Sequence, residues 1–283
     1  MKTPAWYVFK DFLDLTADAQ RQSLLRFLSD DLLEDFYQTP PLPLHPSLAM
    51  ASYQECLHLI HYTWMIPFLE NLSDHDKYLF ISPLNEDQKQ SLLRHFDLSK
   101  PTHVLTPSGQ AFVCEKLYQY LTQDYKVILP KECLPEDPLN KLLDLSREKL
   151  LHLVDLLSLH DLCLEIKSMI SSLHLTKIEN LLSVHQKAYL YELNQKIEPI
   201  AFKPMGLNHW NGDELLLKKL LHQRGLNRLS KALASSHLSL LWHLSHKLDI
   251  GRASIVKALF KQLKNKKAHT ILVTQVCTLI DTL

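Results

Sequence analysis

Two histidine pairs come closest to the spacing of a metal site in this sequence. His58 and His61 stand three positions apart in HLIH, and His243 and His246 repeat that spacing in HLSH. Residues three apart share one face of a helix, so each pair offers two zinc ligands. Neither segment is an H-E-x-x-H motif, and neither has an evident third ligand. We therefore expect no metal and interpret these histidines as amphipathic surface or interface residues.

Signals for nucleophilic or nucleotide chemistry are weaker still. Ser108 precedes Gly109 in TPSGQ, which is not a G-x-S-x-G motif and is better interpreted as the N-cap of a helix. The five glycines are isolated, and none belongs to a phosphate-binding loop. We predict no catalytic residue and no cofactor. The alternative is a helical enzyme whose site residues are scattered along the chain.

The choice of apolar residues predicts an all-α fold. Apolar residues make up 46% of the 283 residues, leucine dominates among them, and glycine occurs only 5 times. Leucine loses little rotamer freedom in a helix, whereas glycine is costly there. Recurrence of apolar residues at three- and four-residue spacing indicates amphipathic helices that pack on one another as a multi-helix bundle.

Charge and cysteine content limit the classes of partner and the cellular compartment that we expect. The 31 basic and 31 acidic residues cancel, so no overall field attracts nucleic acid or anionic lipid. The five cysteines are widely spaced without a CxxC pair, which indicates reduced thiols in the cytosol. The first residues lack the apolar run of a signal peptide, and no apolar run is long enough to span a membrane. We expect a cytoplasmic protein with at most peripheral membrane contact.

Prolines mark the predicted domain organisation. Four of them between residues 39 and 47 (QTPPLPLHPSL) exclude a helix and predict a linker. Three more in VILPKECLPEDP mark the best boundary between an N-terminal helical domain, residues 1–130, and a C-terminal bundle, residues 139–283. In the first domain Asn85 is a predicted helix cap. In the second, Asn211 or Asp213 is expected to cap a helix that ends at Gly225, in a set of helices of two to four turns.

Two features are candidate interaction surfaces. The segment 257–267 predicts a basic amphipathic helix able to contact anionic lipid or acidic partners, although a core-packed helix with a solvated lysine face is the plainer alternative. Trp210, in the polar loop NHWNGDE, is either an exposed interface anchor or a lid folded onto neighbouring helices. The lysines of the basic segment are Lys257, Lys261, Lys264, Lys266 and Lys267.

A seven-residue sequence occurs twice in the chain with one substitution. QRQSLLR at Gln20–Arg26 and QKQSLLR at Gln88–Arg94 differ at one position, and HQKAYLYEL at His185–Leu193 is a weaker echo. The unequal spacings exclude a strict solenoid. Coincidence among common helix formers is one explanation. The other is a duplicated bundle with the leucines facing a core and the Gln and Lys/Arg residues facing solvent.

The segment FKPMGLNHWNGDELLLKKLLHQRGLNRLSKALASS resembles the helical repeats of the flagellar rotor switch protein FliG. In that family a Phe-x-x-Leu lead-in is followed by a helix beginning near Asp and then by a helix carrying Leu-x-x-Ala-Leu. The resemblance covers about the last 110 residues and implies FliG-like repeats that contact other subunits. The matching positions are Phe202, Leu207, Asp213, Leu229, Ala232 and Leu233.

The element PLPLHPS is similar to one in the SctK (YscK/OrgA) family, accessory subunits of the type III secretion sorting platform. It places Leu44, His45 and Pro46 among the interface candidates. Both resemblances imply a scaffold whose partners are other subunits, including secretion or motor ring components, and which sits in the cytoplasm or peripherally at the inner membrane. The alternative function is a secreted bacterial effector that binds a host protein.

Overall fold

Every regular element that the structure describes is a helix, which confirms the predicted all-α multi-helix bundle. The computed structural model describes residues 6, 9–10, 12–13, 16–39, 52–99, 105–125, 128–169, 171–200, 203–261, 263 and 265–283. Within these ranges no helix has both the length and the apolar character needed to cross a membrane.

The chain divides into two compact units, unit 1 at residues 1–135 and unit 2 at residues 136–283. The dividing point lies between Pro130 and Pro138, inside the proline-rich segment. Positions 40–47 of the predicted linker, including the interface candidates Leu44, His45 and Pro46, lie outside the described residues.

Unit 1 consists of short helices whose starts are set by polar caps. Ser52 and Asn85 each form a capping box, with Glu55 and Gln88 respectively, which confirms the cap predicted at Asn85. The TPSGQ segment also begins a helix, but its cap is Thr106 and not Ser108: Thr106 Oγ1 accepts from Gly109 N at 3.2 Å. The helices are α1 Asp18–Leu25, α2 Asp30–Gln38, α3 Tyr53–His58, α4 Ile66–Leu69, α5 Asp74–Ile81, α6 Glu86–His95 and α7 Pro107–Thr122.

A buried glutamine side chain links two helices in the apolar core of unit 1. Leu57, Leu69 and Leu92 have no exposed surface, and α7 packs against α3 and α5. Gln88 was expected to face solvent but is buried. Its Nε2 donates to Leu57 O at 2.8 Å and Ile60 O at 2.6 Å, so its amide closes the carbonyl end of α3.

Unit 2 is built around two long helices, although helices of only two to four turns were predicted. Helix α8 has 22 residues and α11 has 19. Helices α10, α11 and α14 pack on α8, while α13 and α14 also pack on α11. The helices are α8 Arg147–Ser168, α9 Ser172–Leu181, α10 Val184–Asn194, α11 Glu214–Ala232, α12 Leu238–Lys247, α13 Ile250–Leu259 and α14 Lys266–Ile280.

The prediction that α11 ends at Gly225 is wrong, although its predicted start is confirmed. Asp213 caps the helix by accepting from Leu215 N and Leu216 N at 2.9 and 3.2 Å. Gly225 lies buried in the middle of α11, where a Cβ would stand 1.8 Å from the carbonyl oxygen of Val154 on α8. Glycine is therefore required for close helix approach and not for helix termination. Two positions of the FliG-like pattern, Leu229 and Ala232, therefore lie on the same helix as Gly225. Phe202 of that pattern lies outside the described residues.

The basic segment 257–267 is not one helix, which corrects the prediction. Helix α13 ends at Leu259, and α14 begins at Lys266. The break follows from the cap at Asn265, whose Oδ1 accepts from Lys267 N at 3.0 Å and Ala268 N at 3.3 Å. Lys257 thus belongs to α13, Lys261 to the connection, and Lys266 and Lys267 to the first turn of α14. Lys264 lies outside the described residues.

Candidate functional site

Among the described residues, unit 2 carries a concave groove on its surface. It has a volume of about 500 Å³ and is formed where α9 and α10 meet α8. Cys163, Ile166, Leu190 and Tyr191 supply much of its apolar lining, and polar residues of α9 and α10 complete it. Burial raises the pKa of the Cys163 thiol, so this cysteine is a weak nucleophile at neutral pH.

The hairpin formed by α9 and α10 exposes several large apolar side chains. Tyr191, which lines the groove, is 68% exposed. Tyrosine is enriched among the residues that dominate binding energy at protein interfaces. Leu173 and Val184 of the same hairpin are also mostly exposed, as is Ile197, three residues after α10 ends.

A buried polar cluster lies at the junction of α8, α11 and α14. At its centre is Arg228, which has no exposed surface. Its Nε and Nη2 donate to Asp161 Oδ1 at 2.9 and 2.6 Å, and its Nη1 donates to Gln275 Oε1 at 2.9 Å and Glu198 Oε1 at 3.3 Å. Nη2 also donates to Ile200 O at 3.2 Å. The cluster joins the three helices to the segment that follows α10.

The cluster also holds α10 against α8. His160 of α8 hydrogen-bonds through Nδ1 to Glu198 and through Nε2 to the hydroxyl of Tyr189 at 2.9 Å. Tyr189 stands two positions before Tyr191 on α10. Lys167 Nζ donates to Lys196 O at 3.2 Å and adds a second tie at the end of that helix. The groove wall is therefore positioned by hydrogen bonds from α8.

No family model, curated protein or solved structure matches this chain.

Two pKa shifts describe the chemistry of the cluster. Burial by itself would raise the pKa of Glu198, but the hydrogen bond from His160 and the charge of Arg228 outweigh it and lower the pKa to about 2. Burial raises the pKa of Tyr189 to about 12. Glu198 is thus a firmly ionised acceptor, and Tyr189 stays protonated as a hydrogen-bond donor. A carboxylate, imidazole and phenol in a row with these properties fit a structural role better than proton transfer.

Glu165 anchors the loop that leads to α11. Its carboxylate accepts from the backbone N–H groups of Met205, Gly206 and Leu207 at 2.8 to 2.9 Å. Gly206 has φ of 78°, a left-handed conformation that a residue without Cβ adopts readily. The carboxylate therefore fixes a sharp turn directly before the loop that carries Trp210.

Trp210 is not an exposed anchor, which corrects one of its two interpretations. Its side chain folds inward, leaving the residue 6% exposed, and Nε1 donates to Asp213 O at 2.9 Å. The ring also makes an edge contact with His174 of α9, with centroids 5.9 Å apart. An indole that satisfies its polar group internally serves as a lid over its own helices.

The histidine pairs do not converge as ligands. Helix α3 ends at His58, so His61 does not share a helix face with it; His61 instead bonds through Nδ1 to Thr63 Oγ1 at 2.8 Å. His246 is buried and bonds through Nδ1 to Trp242 O at 2.8 Å. Across the described ranges, no group of three or more His, Cys, Asp or Glu side chains is placed to hold a metal ion.

His246 should make the stability of unit 2 sensitive to acid. Burial lowers its pKa from 6.5 to about 3. Between these values the unfolded chain binds a proton that the folded protein excludes, so the free energy of unfolding should fall by about 2 kcal/mol from pH 6.5 to pH 5. Urea unfolding at several pH values, followed by tryptophan fluorescence, measures this slope.

The variant His246→Phe keeps the ring stacked on Trp242 but cannot titrate. We expect it to lose most of the slope, whatever its stability at pH 7. The control His209→Phe replaces an exposed histidine and should keep the slope of the parent protein. Equal slopes in both variants would exclude His246 as the source.

The buried cluster was missed from the sequence because its members are far apart in the chain; Asp161 and Arg228, for example, are separated by 67 residues. One local signal was present. Arg228 occupies the helical stripe that also holds Leu221, Gly225 and Ala232, where an apolar residue is expected. A charge within an apolar stripe indicates a buried ion pair.

Proposed function

We propose that this protein is a non-catalytic scaffold that contacts other protein subunits through the α8–α10 groove. The single observation that carries the proposal is the groove lined by the exposed Tyr191 on a hairpin with further exposed apolar side chains. The polar cluster of unit 2 supports it, because the hydrogen-bonding groups of that cluster are used to position helices.

The assembly that we propose is a bacterial type III secretion or flagellar switch-like machine. The support for this finer statement is the resemblance of the sequence to FliG repeats and to the SctK element. It places the protein in the cytoplasm, with peripheral contact at the inner membrane, and makes ring subunits its partners. Zero net charge agrees with a protein partner and not with nucleic acid.

Co-purification from the native organism tests both parts. A tagged chain should recover secretion or motor ring subunits, and Tyr191→Ala should reduce their recovery by about tenfold or more, as expected for loss of one central aromatic residue. The matched control is Tyr37→Ala, because Tyr37 is equally exposed at 68% but lies in unit 1. Tyr37→Ala should leave recovery unchanged.

Distinct outcomes separate the alternatives. If ring subunits are absent and the chain is found outside the cell with a host protein, the effector interpretation replaces the scaffold. If partners are recovered equally with both variants, the groove is not the contact surface.

A further inference from the structure

A chain of four polar side chains joins α8, α11 and α13 at the surface of unit 2. His222 of α11 stands at its centre, with Nδ1 3.1 Å from Asp155 Oδ1 of α8. On the other side of the ring, Arg252 Nε of α13 donates to His222 Nε2 at 2.8 Å. Arg252 also pairs through Nη1 with Asp249, the N-cap of α13. All four side chains are partly exposed, so protons from solvent reach them.

This geometry determines which nitrogen of His222 carries the proton. A guanidinium group has only donors, so Nε2 must accept from Arg252 and cannot itself be protonated. The single ring proton then lies on Nδ1 and points to Asp155. The bridge therefore requires a neutral imidazole in the Nδ1–H form.

We propose that His222 is a proton-sensitive link between α11 and α13. A second proton on Nε2 turns the acceptor into a donor and places two cations in direct contact, so the bond to Arg252 must break. Asp155 then pairs with the imidazolium, and Arg252 keeps its pair with Asp249. Among ordinary side chains, histidine is the one whose charge changes within the pH range that cells and their surroundings span.

Within the bridge itself, the carboxylates can pair with both cations after protonation. With His222 neutral, two carboxylates face one guanidinium; with His222 protonated, the bridge holds two balanced ion pairs. The cost of protonation is the lost bond between helices. The charged and titratable side chains within one turn of the bridge on the three helices are Asp155, His152, Lys218, Lys219, Arg224, Arg252 and Asp249.

Nuclear magnetic resonance of the full chain labelled with nitrogen-15 histidine tests the protonation state. His222 is assigned by the signal lost in His222→Gln. At pH 7.5 we expect Nδ1 protonated and Nε2 unprotonated, and at pH 5 both protonated. An Nε2–H ring at pH 7.5 would overturn the proposal.

Hydrogen exchange of the α13 amides, expressed as protection factors corrected for intrinsic rates, tests the consequence. In the parent protein, protection should fall about fivefold more between pH 7.5 and 5 than in His222→Gln, the size of effect expected for one lost hydrogen bond. Glutamine accepts from Arg252 and donates to Asp155 at every pH, so this variant keeps the bridge. It also retains His246, which cancels any general effect of acid.

The variant Arg252→Met shows how α13 behaves when the bridge is absent. It removes the bridge at every pH, so its α13 amides should already be less protected at pH 7.5 and should change no more with acid than those of His222→Gln. If the parent protein and His222→Gln respond equally to acid, His222 is a static contact and the proposal fails.

Discussion

Arg228→Met is expected to destabilise unit 2 by about 3–5 kcal/mol, the typical cost of leaving a buried charge without its partner. Methionine is similar in length to the apolar part of arginine, so the loss is mainly electrostatic. Asp161 would lose both donors to its Oδ1, and Glu198 would lose a cation, while both carboxylates stay almost fully buried. Domains are stable by only about 5–15 kcal/mol, so a large part of the stability depends on this side chain.

Urea unfolding followed by tryptophan fluorescence measures the loss, and two further variants identify its cause. Arg224→Met removes a more exposed arginine that lies 3.7 Å from Asp161 Oδ2, and should cost less than about 1 kcal/mol. Adding Asp161→Leu to Arg228→Met removes one orphaned carboxylate and should recover part of the stability. If Arg228→Met is as stable as Arg224→Met, the cluster does not hold unit 2 together.

Gly225→Val is expected to cost more than about 3 kcal/mol by forcing α8 and α11 apart. A Cβ at this position would lie 1.8 Å from Val154 O and 2.7 Å from Val154 C, which are backbone atoms that no rotamer change can move. The helix propensity gained by replacing glycine is at most about 1 kcal/mol and cannot offset this clash. Thermal unfolding by circular dichroism measures the effect.

Gly251→Val is the matched control for that prediction. Gly251 is also in a helix of unit 2, but it is exposed, and its nearest neighbour is one side-chain oxygen of Asp249 at 3.3 Å. The control should change stability by less than about 1 kcal/mol. Equal stability of the two variants would show that the contact between α8 and α11 is more adaptable than its geometry implies.

The repeated sequence segments have a local physical explanation. Gln20, Gln88 and Gln186 each occupy the third position of a helix, in α1, α6 and α10. In α6 and α10 this glutamine completes a capping box, with Asn85 and Ser183. In α1 the cap is an alanine and no box forms. A favoured helix start thus accounts for part of the recurrence, and common ancestry of the segments stays a prediction.

Their tertiary roles also differ. Gln88 is buried beneath α3, whereas Gln20 is exposed and α1 has no buried residue. The same segment therefore has side chains buried in the core in α6 but none in α1. Its sequence determined the helix start, and the neighbouring helices determined what the side chains contact.

The amino-acid sequence by itself determined the helical class and several helix starts, because these depend on local chemistry. Leucine and scarce glycine favour helices wherever they fall, and Asn85 and Asp213 cap them through bonds to residues two or three positions away. The tertiary structure decided the role of Gly225, the burial of Arg228 and the groove beside α10. Each depends on atoms brought together from distant positions, such as Val154 against Gly225, and helical spacing within one segment carries no information about such a partner.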